Sequence, residues 1–150
     1  GILSWAAHGS GPRTFPNREF NESVIGLIRS HWGTGSRLLT EFASASYGPE
    51  EAEQAARMAR YLSSAEVAAG YITEVYRMDV TELLPDITAP VLLLHYRGDR
   101  MTPFIGSTQL AAGLPNAELI PLEGRSHFPM EKDFERVFSA IDRFLESLPD

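Results

Sequence analysis

The chain of 150 residues contains no cysteine, which excludes disulfides, thiolate nucleophiles and cysteine-based zinc sites. That absence suits a reducing cytoplasm and an exported protein alike, so the compartment stays open with the cytoplasm favoured. There is one lysine, Lys132, and 13 basic side chains stand against 20 acidic ones, a net charge of −7. An acidic chain without a basic cluster repels phosphate backbones and anionic headgroups, so neither nucleic acid nor membrane is an expected partner. No apolar run approaches the roughly 18 residues of a membrane span, and no basic-then-apolar leader precedes a small-residue cleavage site. Internal repeats and low-complexity tracts are missing too. What remains is 43% apolar and 22% charged, an ordinary composition for one globular domain with a buried core.

The texture changes twice along the chain. Residues 2 to 7 (ILSWAA) form a short apolar run, and the glycines and prolines of HGSGPRTFPN that follow predict an irregular loop. From Phe20 to Met78 the pattern is helical, with Val24, Ile25, Leu27, Ile28 and Trp32 on one face and a stop at Gly33-Thr34-Gly35. Gly48-Pro49-Glu50-Glu51 opens another helix, with proline at its first position and acids in its first turn. Ser63-Ser64-Ala65-Glu66 has capping-box spacing for a helix reaching about Arg77. After Asp79 the run from Pro90 to Tyr96 shows no alternation, as in a parallel strand covered on both faces. A helix starting near Thr102-Pro103, a strand over 117 to 122 that Pro121 marks as ending or lying at an edge, and a helix from about Met130 complete a parallel βαβα unit.

Functional groups of open α/β sheets collect beyond the carboxyl ends of strands. Asp99 lies three residues past the first of these strands, and His127, in Gly124-Arg125-Ser126-His127, follows the second. A carboxylate and an imidazole on one sheet edge make the acid and base of a hydrolytic triad. Taken alone, Asp99 is also a turn residue after a glycine, and Arg97-Gly98-Asp99 spells an adhesion tripeptide.

Residues 79 to 145 resemble the C-terminal segment of an α/β-hydrolase, most of all the bacterial hydrolase domains joined to adenylate cyclase or LuxR-type regulators. The matching residues are the acid context from Asp99 to Pro103, the Gly124 to His127 context, and the 28-residue separation of acid and histidine. The resemblance implies an α/β chain with a partial α/β-hydrolase fold: parallel strands, flanking helices and a helical cap, without the N-terminal half of the sheet. It also implies one partial domain, with the sixth strand and its loop at 1–19, the cap at 20–78 and the βαβα segment at 79–150.

In that family a serine in a G-x-S-x-G elbow precedes acid and histidine, and no such motif is present. Ser10 follows His8 and Gly9 but stands before Gly11-Pro12, and Ser36 has no strand before it. The implied function is therefore the C-terminal portion of a serine esterase acting on a small acyl substrate, inactive alone, with Asp99 and His127 as its catalytic residues. Alternatives are a non-catalytic ligand-sensing module and an aspartate-nucleophile hydrolase of the haloalkane or epoxide type. The unpaired strand edge implies self-association or pairing with the missing half.

The remaining features have simpler readings. His95 reads as a core residue of its strand. His8 and His31 lack partners at metal-ligand spacing, so no metal or cofactor is expected. Trp5, Trp32, Phe42 and Tyr47 line a pocket or pack in the cap. Glu50 to Arg60 is a solvated helix face with Glu53 and Arg57 as an ion pair.

Overall fold

The structure is a computed structural model and describes residues 1–5, 7–45, 47–129 and 131–148. Three parallel strands, β1 (Ile2–Trp5), β2 (Val91–Tyr96) and β3 (Ala117–Leu122), form a sheet with β2 at its centre. All six residues of β2 are buried, which is why its sequence is apolar without alternation. Its side chains still alternate between faces. Leu92, Leu94 and Tyr96 pack with Val137, Ala140 and Phe144 of the C-terminal helix α7 (Phe134–Glu146). Val91 and Leu93 pack on the other face with Leu110 and Leu114, at the helix α6 (Ile105–Gly113) that connects β2 to β3. A helix on each face of a parallel sheet gives a three-layer α/β arrangement. Pro121 sits on β3, an edge strand here, where no outward N–H is needed.

The long excursion between β1 and β2 is helical. After the short α1 (Gly11–Thr14) come α2 (Arg18–Ser30), α3 (Trp32–Ala43), α4 (Pro49–Leu62) and α5 (Ala65–Arg77). Val24 and Ile28 of α2 meet Ala68, Ala69 and Ile72 of α5, with Trp32, Leu38 and Leu39 against them, so this layer has its own small core. Its position over the sheet edge suits a cap.

Several local expectations are corrected. Residues 11 to 14 are not irregular, because Pro12 sits in the first turn of α1, where its missing N–H costs nothing. Gly33-Thr34-Gly35 does not stop a helix. The break falls at His31, and Gly35 lies inside α3, where a Cβ would come within 2.8 Å of the Ile28 backbone. Glycine there serves close helix crossing rather than termination. The cap of α5 is Ser64, whose hydroxyl accepts from the Val67 N–H, while Ser63 closes α4. Glu53 pairs with Arg37 and Arg60 instead of Arg57, bridging α3 and α4. Helix α6 begins at Ile105, slightly later than Thr102-Pro103 suggests, and a 3₁₀ turn over Glu131–Asp133 precedes α7. Met130 lies outside the described residues.

Two glycines of neighbouring helices should respond oppositely to alanine. Gly26→Ala meets nothing within 4 Å and is expected to stabilise by about 0.5–1 kcal/mol. Gly35→Ala must push the Ile28 backbone and is expected to destabilise by about 1–3 kcal/mol despite alanine's better helix propensity. Urea unfolding of both variants gives the two signs.

Candidate active site

The acid and histidine loops leave adjacent strands and are laced together. Arg97 N–H donates to the Leu122 carbonyl at 2.9 Å and Gly98 N–H to that of Gly124 at 2.9 Å. A side chain at Gly98 would strike that same carbonyl at 2.7 Å, so the close approach requires glycine. The histidine loop is held from two further sides. His127 N–H donates to the Ala43 carbonyl at the end of α3 at 2.7 Å, and the Trp5 indole N–H donates to the His127 carbonyl.

This framework brings Asp99 and His127 together. Asp99 is 6% exposed, and its Oδ2 accepts from His127 Nδ1 at 2.8 Å. A carboxylate only accepts, so Nδ1 carries the hydrogen and Nε2 is left as the basic nitrogen. Asp99 Oδ1 accepts from the backbone N–H groups of Met101 at 2.8 Å and Thr102 at 3.1 Å. Burial pushes the Asp99 carboxyl up, but hydrogen bonds from His127, His95 and Thr102 outweigh it and leave the group below its usual range.

His95 is the residue that sequence reasoning missed. It is a core residue, fully buried, yet its Nε2 reaches Asp99 Oδ2 at 3.1 Å and the Thr102 carbonyl at 2.8 Å. Both partners accept, so Nε2 bears the hydrogen. Its Nδ1 lies 2.6 Å from the Ser107 hydroxyl on α6, whose one hydrogen is shared between that nitrogen and the Ala7 carbonyl, 2.8 Å away. A usable signal was present, since a histidine inside an apolar run must find polar partners and Asp99 is four residues on.

The serines do not complete a triad among the described residues. Ser10 Oγ donates to Asp79 at 2.8 Å. Hydrogen bonds from the Thr81 hydroxyl and backbone, then from Ser10, draw the Asp79 carboxyl down to about 2. Ser36 Oγ donates to the Gly33 carbonyl and accepts from Arg60. Ser126 is buried, with no hydrogen-bond partner for its hydroxyl among the described residues. The adhesion reading of Arg97-Gly98-Asp99 fails because Asp99 points inward while Arg97 pairs with Glu123 and lies over Phe104.

A cavity of about 370 Å³ lies between the helical layer and these loops, lined by His127 and Phe128 together with Phe15, Phe42, Ile72 and Met101 among others. Phe42 is thus a cavity residue. Trp5 instead packs edge-on against Tyr96, Trp32 joins the core of the helical layer and donates to the Ser63 carbonyl, and Tyr47 is exposed. No group of three metal-ligating side chains occurs among the described residues. No described helix is long and apolar enough to cross a membrane.

A parallel α/β sheet, a helical layer between its first two strands and an acid and histidine beyond the strand ends match an α/β-hydrolase architecture. Residues 72–148 match the α/β-hydrolase family described as "TAP-like protein", and the chain belongs to that family. It is 26% identical over 144 residues to a pimeloyl-[acyl-carrier protein] methyl ester esterase of Xanthomonas axonopodis pv. citri, covering 92% of this chain and 56% of the relative. It is 33% identical over 69 residues to the AB hydrolase superfamily protein YisY of Bacillus subtilis, covering 46% of this chain and 26% of the relative. Among solved structures, a hydrolase from Oleispira antarctica superposes with a TM-score of 0.82 at 18% identity, covering 98% of this chain and 56% of that one. An esterase from Exiguobacterium antarcticum gives 0.72 at 17% identity, over 86% and 48%. The chain therefore spans about half the length, or less, of these relatives.

Because the Asp99 carboxyl is held below its unfolded value, its stabilisation is complete above about pH 4 and is lost as pH falls through the folded value. His95→Leu removes one of the bonds that lower it. The Asp99 carboxyl is expected to titrate at higher pH by ¹³C NMR, with unfolding free energy reduced by about 1–3 kcal/mol. His95→Gln retains a donor and should recover much of both.

Proposed function

We propose that this chain carries the acid and the base of an esterase-like α/β-hydrolase whose nucleophile lies in the part of the fold that its relatives possess outside the matched region. Asp99 fixes the tautomer and orientation of His127 and stabilises the imidazolium that forms when Nε2 takes a proton from the nucleophile's hydroxyl. His127 then returns that proton to the leaving alcohol. The cap covers the reaction and supplies the apolar walls for a small acyl substrate. The observation that carries this reading is the 2.8 Å bond from His127 Nδ1 to buried Asp99, on a ring that lines the cavity. Two of the similar proteins named above are esterases, which favours an ester as the bond attacked.

The missing contribution has a place to dock. The outer edge of β1 has no strand partner among the described residues, and Ile2 and Leu3 on it are exposed. Phe134, Phe138 and Leu145 of α7, spaced four and seven apart, are exposed apolar side chains as well. A parallel strand and a packed helix from the nucleophile-bearing segment would cover both, and without them the chain is expected to self-associate.

The 150-residue chain alone should resist labelling by a fluorophosphonate and show no burst with p-nitrophenyl acetate. Joined to, or mixed with, the nucleophile-bearing segment it should hydrolyse that ester, and His127→Ala should lower kcat by at least about a thousandfold. Strong, His127-dependent labelling of the chain alone would place the nucleophile within these residues and overturn the proposal.

A further inference from the structure

We infer that the cavity takes an ester whose apolar chain ends in a carboxylate, with Arg100 as the anchor for that distal anion. The inference rests on the esterase reading and extends it to the class of substrate. Arg100 alone among the cavity-lining residues carries a permanent charge, and none of them is aspartate or glutamate, in a chain with 20 acidic side chains. Burial pushes the Tyr76 phenol on the same wall up, so that wall stays neutral. The rest is largely hydrocarbon, including Phe20, Leu39 and Val75.

The Arg100 charge is also uncommitted. Arg29, Arg37, Arg60, Arg77 and Arg97 each pair with a glutamate, whereas Arg100 has no ion pair among the described residues. Its guanidinium carbon lies 5.3 Å from the centroid of the Phe42 ring at the end of α3. Stacking of that kind orients the plane and leaves the N–H fork free for a carboxylate, which it can hold through two parallel bonds. Position along the chain adds to this. Arg100 stands between Asp99 and Met101, whose N–H is tied to Asp99 Oδ1, so the turn that aims the acid at His127 also fixes the root of the anchor. The alternative is that Arg100 merely latches the cap through Phe42, a role that would not discriminate a charged from a neutral ligand.

The two roles separate in a binding experiment on the chain itself, which needs no turnover. Monomethyl adipate, an ester with one free carboxylate, and dimethyl adipate, its neutral counterpart, are titrated while the His127 and Phe128 resonances are followed by NMR. The half-ester should bind about fivefold more tightly, equivalent to roughly 1 kcal/mol. The preference should disappear in Arg100→Gln and shrink on raising the salt to about 0.5 M. Equal affinities in the wild type, or a preference that survives in Arg100→Gln, overturn the anchor while leaving the esterase reading intact. If neither ester perturbs the cavity resonances, the cavity is not the substrate site and both fall. Because Arg100 is exposed and stabilises no core, the variant is expected to fold, and its unchanged spectrum away from the cavity is the control.

Discussion

Everything near the functional edge of this molecule depends on one buried carboxylate. Asp99 is out of water, and an ionised group there is tolerated only when its lone pairs are filled by well-placed donors. Two backbone N–H groups of its own turn occupy Oδ1, and two imidazole rings converge on Oδ2. Each donor ties a different element to the same point. The turn follows β2, His95 is the fifth residue of β2 itself, and His127 belongs to the loop after β3. Through Ser107 the arrangement extends into α6 and back to the Ala7 carbonyl beyond β1. The carboxylate is therefore both a functional group and the junction of the sheet's carboxyl edge.

The helical layer is coupled to this junction by specific contacts. His127 is bonded through its backbone to Ala43, Ser126 bridges Ser44, and Arg100 lies over Phe42. All three touch the last turn of α3 or its exit. Movement of α3 would thus reach the histidine loop, the cavity wall and, through Trp32, Leu38 and Leu39, the core formed by α2 and α5.

Much of this was legible in the sequence where the signal is local. The unbroken apolar run of β2, the helical periodicity of the C-terminal segment, and an acid and a histidine each just past a strand require only chain geometry. His95 was legible as a core residue but not as a partner of Asp99. A strand's alternation puts it on the α6 side, whereas the turn returns Asp99 beneath it, and that return is a three-dimensional event. Gly33 to Gly35 were misread for a related reason. Glycine weakens an isolated helix, but here Gly35 permits the backbone contact with Ile28 that lets α2 and α3 cross.

The sequence by itself determined the types of the main elements, the candidate acid and base, the absence of thiol chemistry and the absence of a G-x-S-x-G motif. These follow from side-chain chemistry and from periods of two and three to four residues, which are properties of neighbours along the chain. Tertiary structure alone decided which carboxylate oxygen His127 shares with His95, which glutamate each arginine finds, and that Phe42 and Arg100 face one cavity. The most distant of those contacts, Arg29 to Glu66, His127 to Asp99 and Arg100 to Phe42, join residues 28 to 58 positions apart, so their formation depends on how the helical layer packs over the sheet. No local pattern encodes that distance.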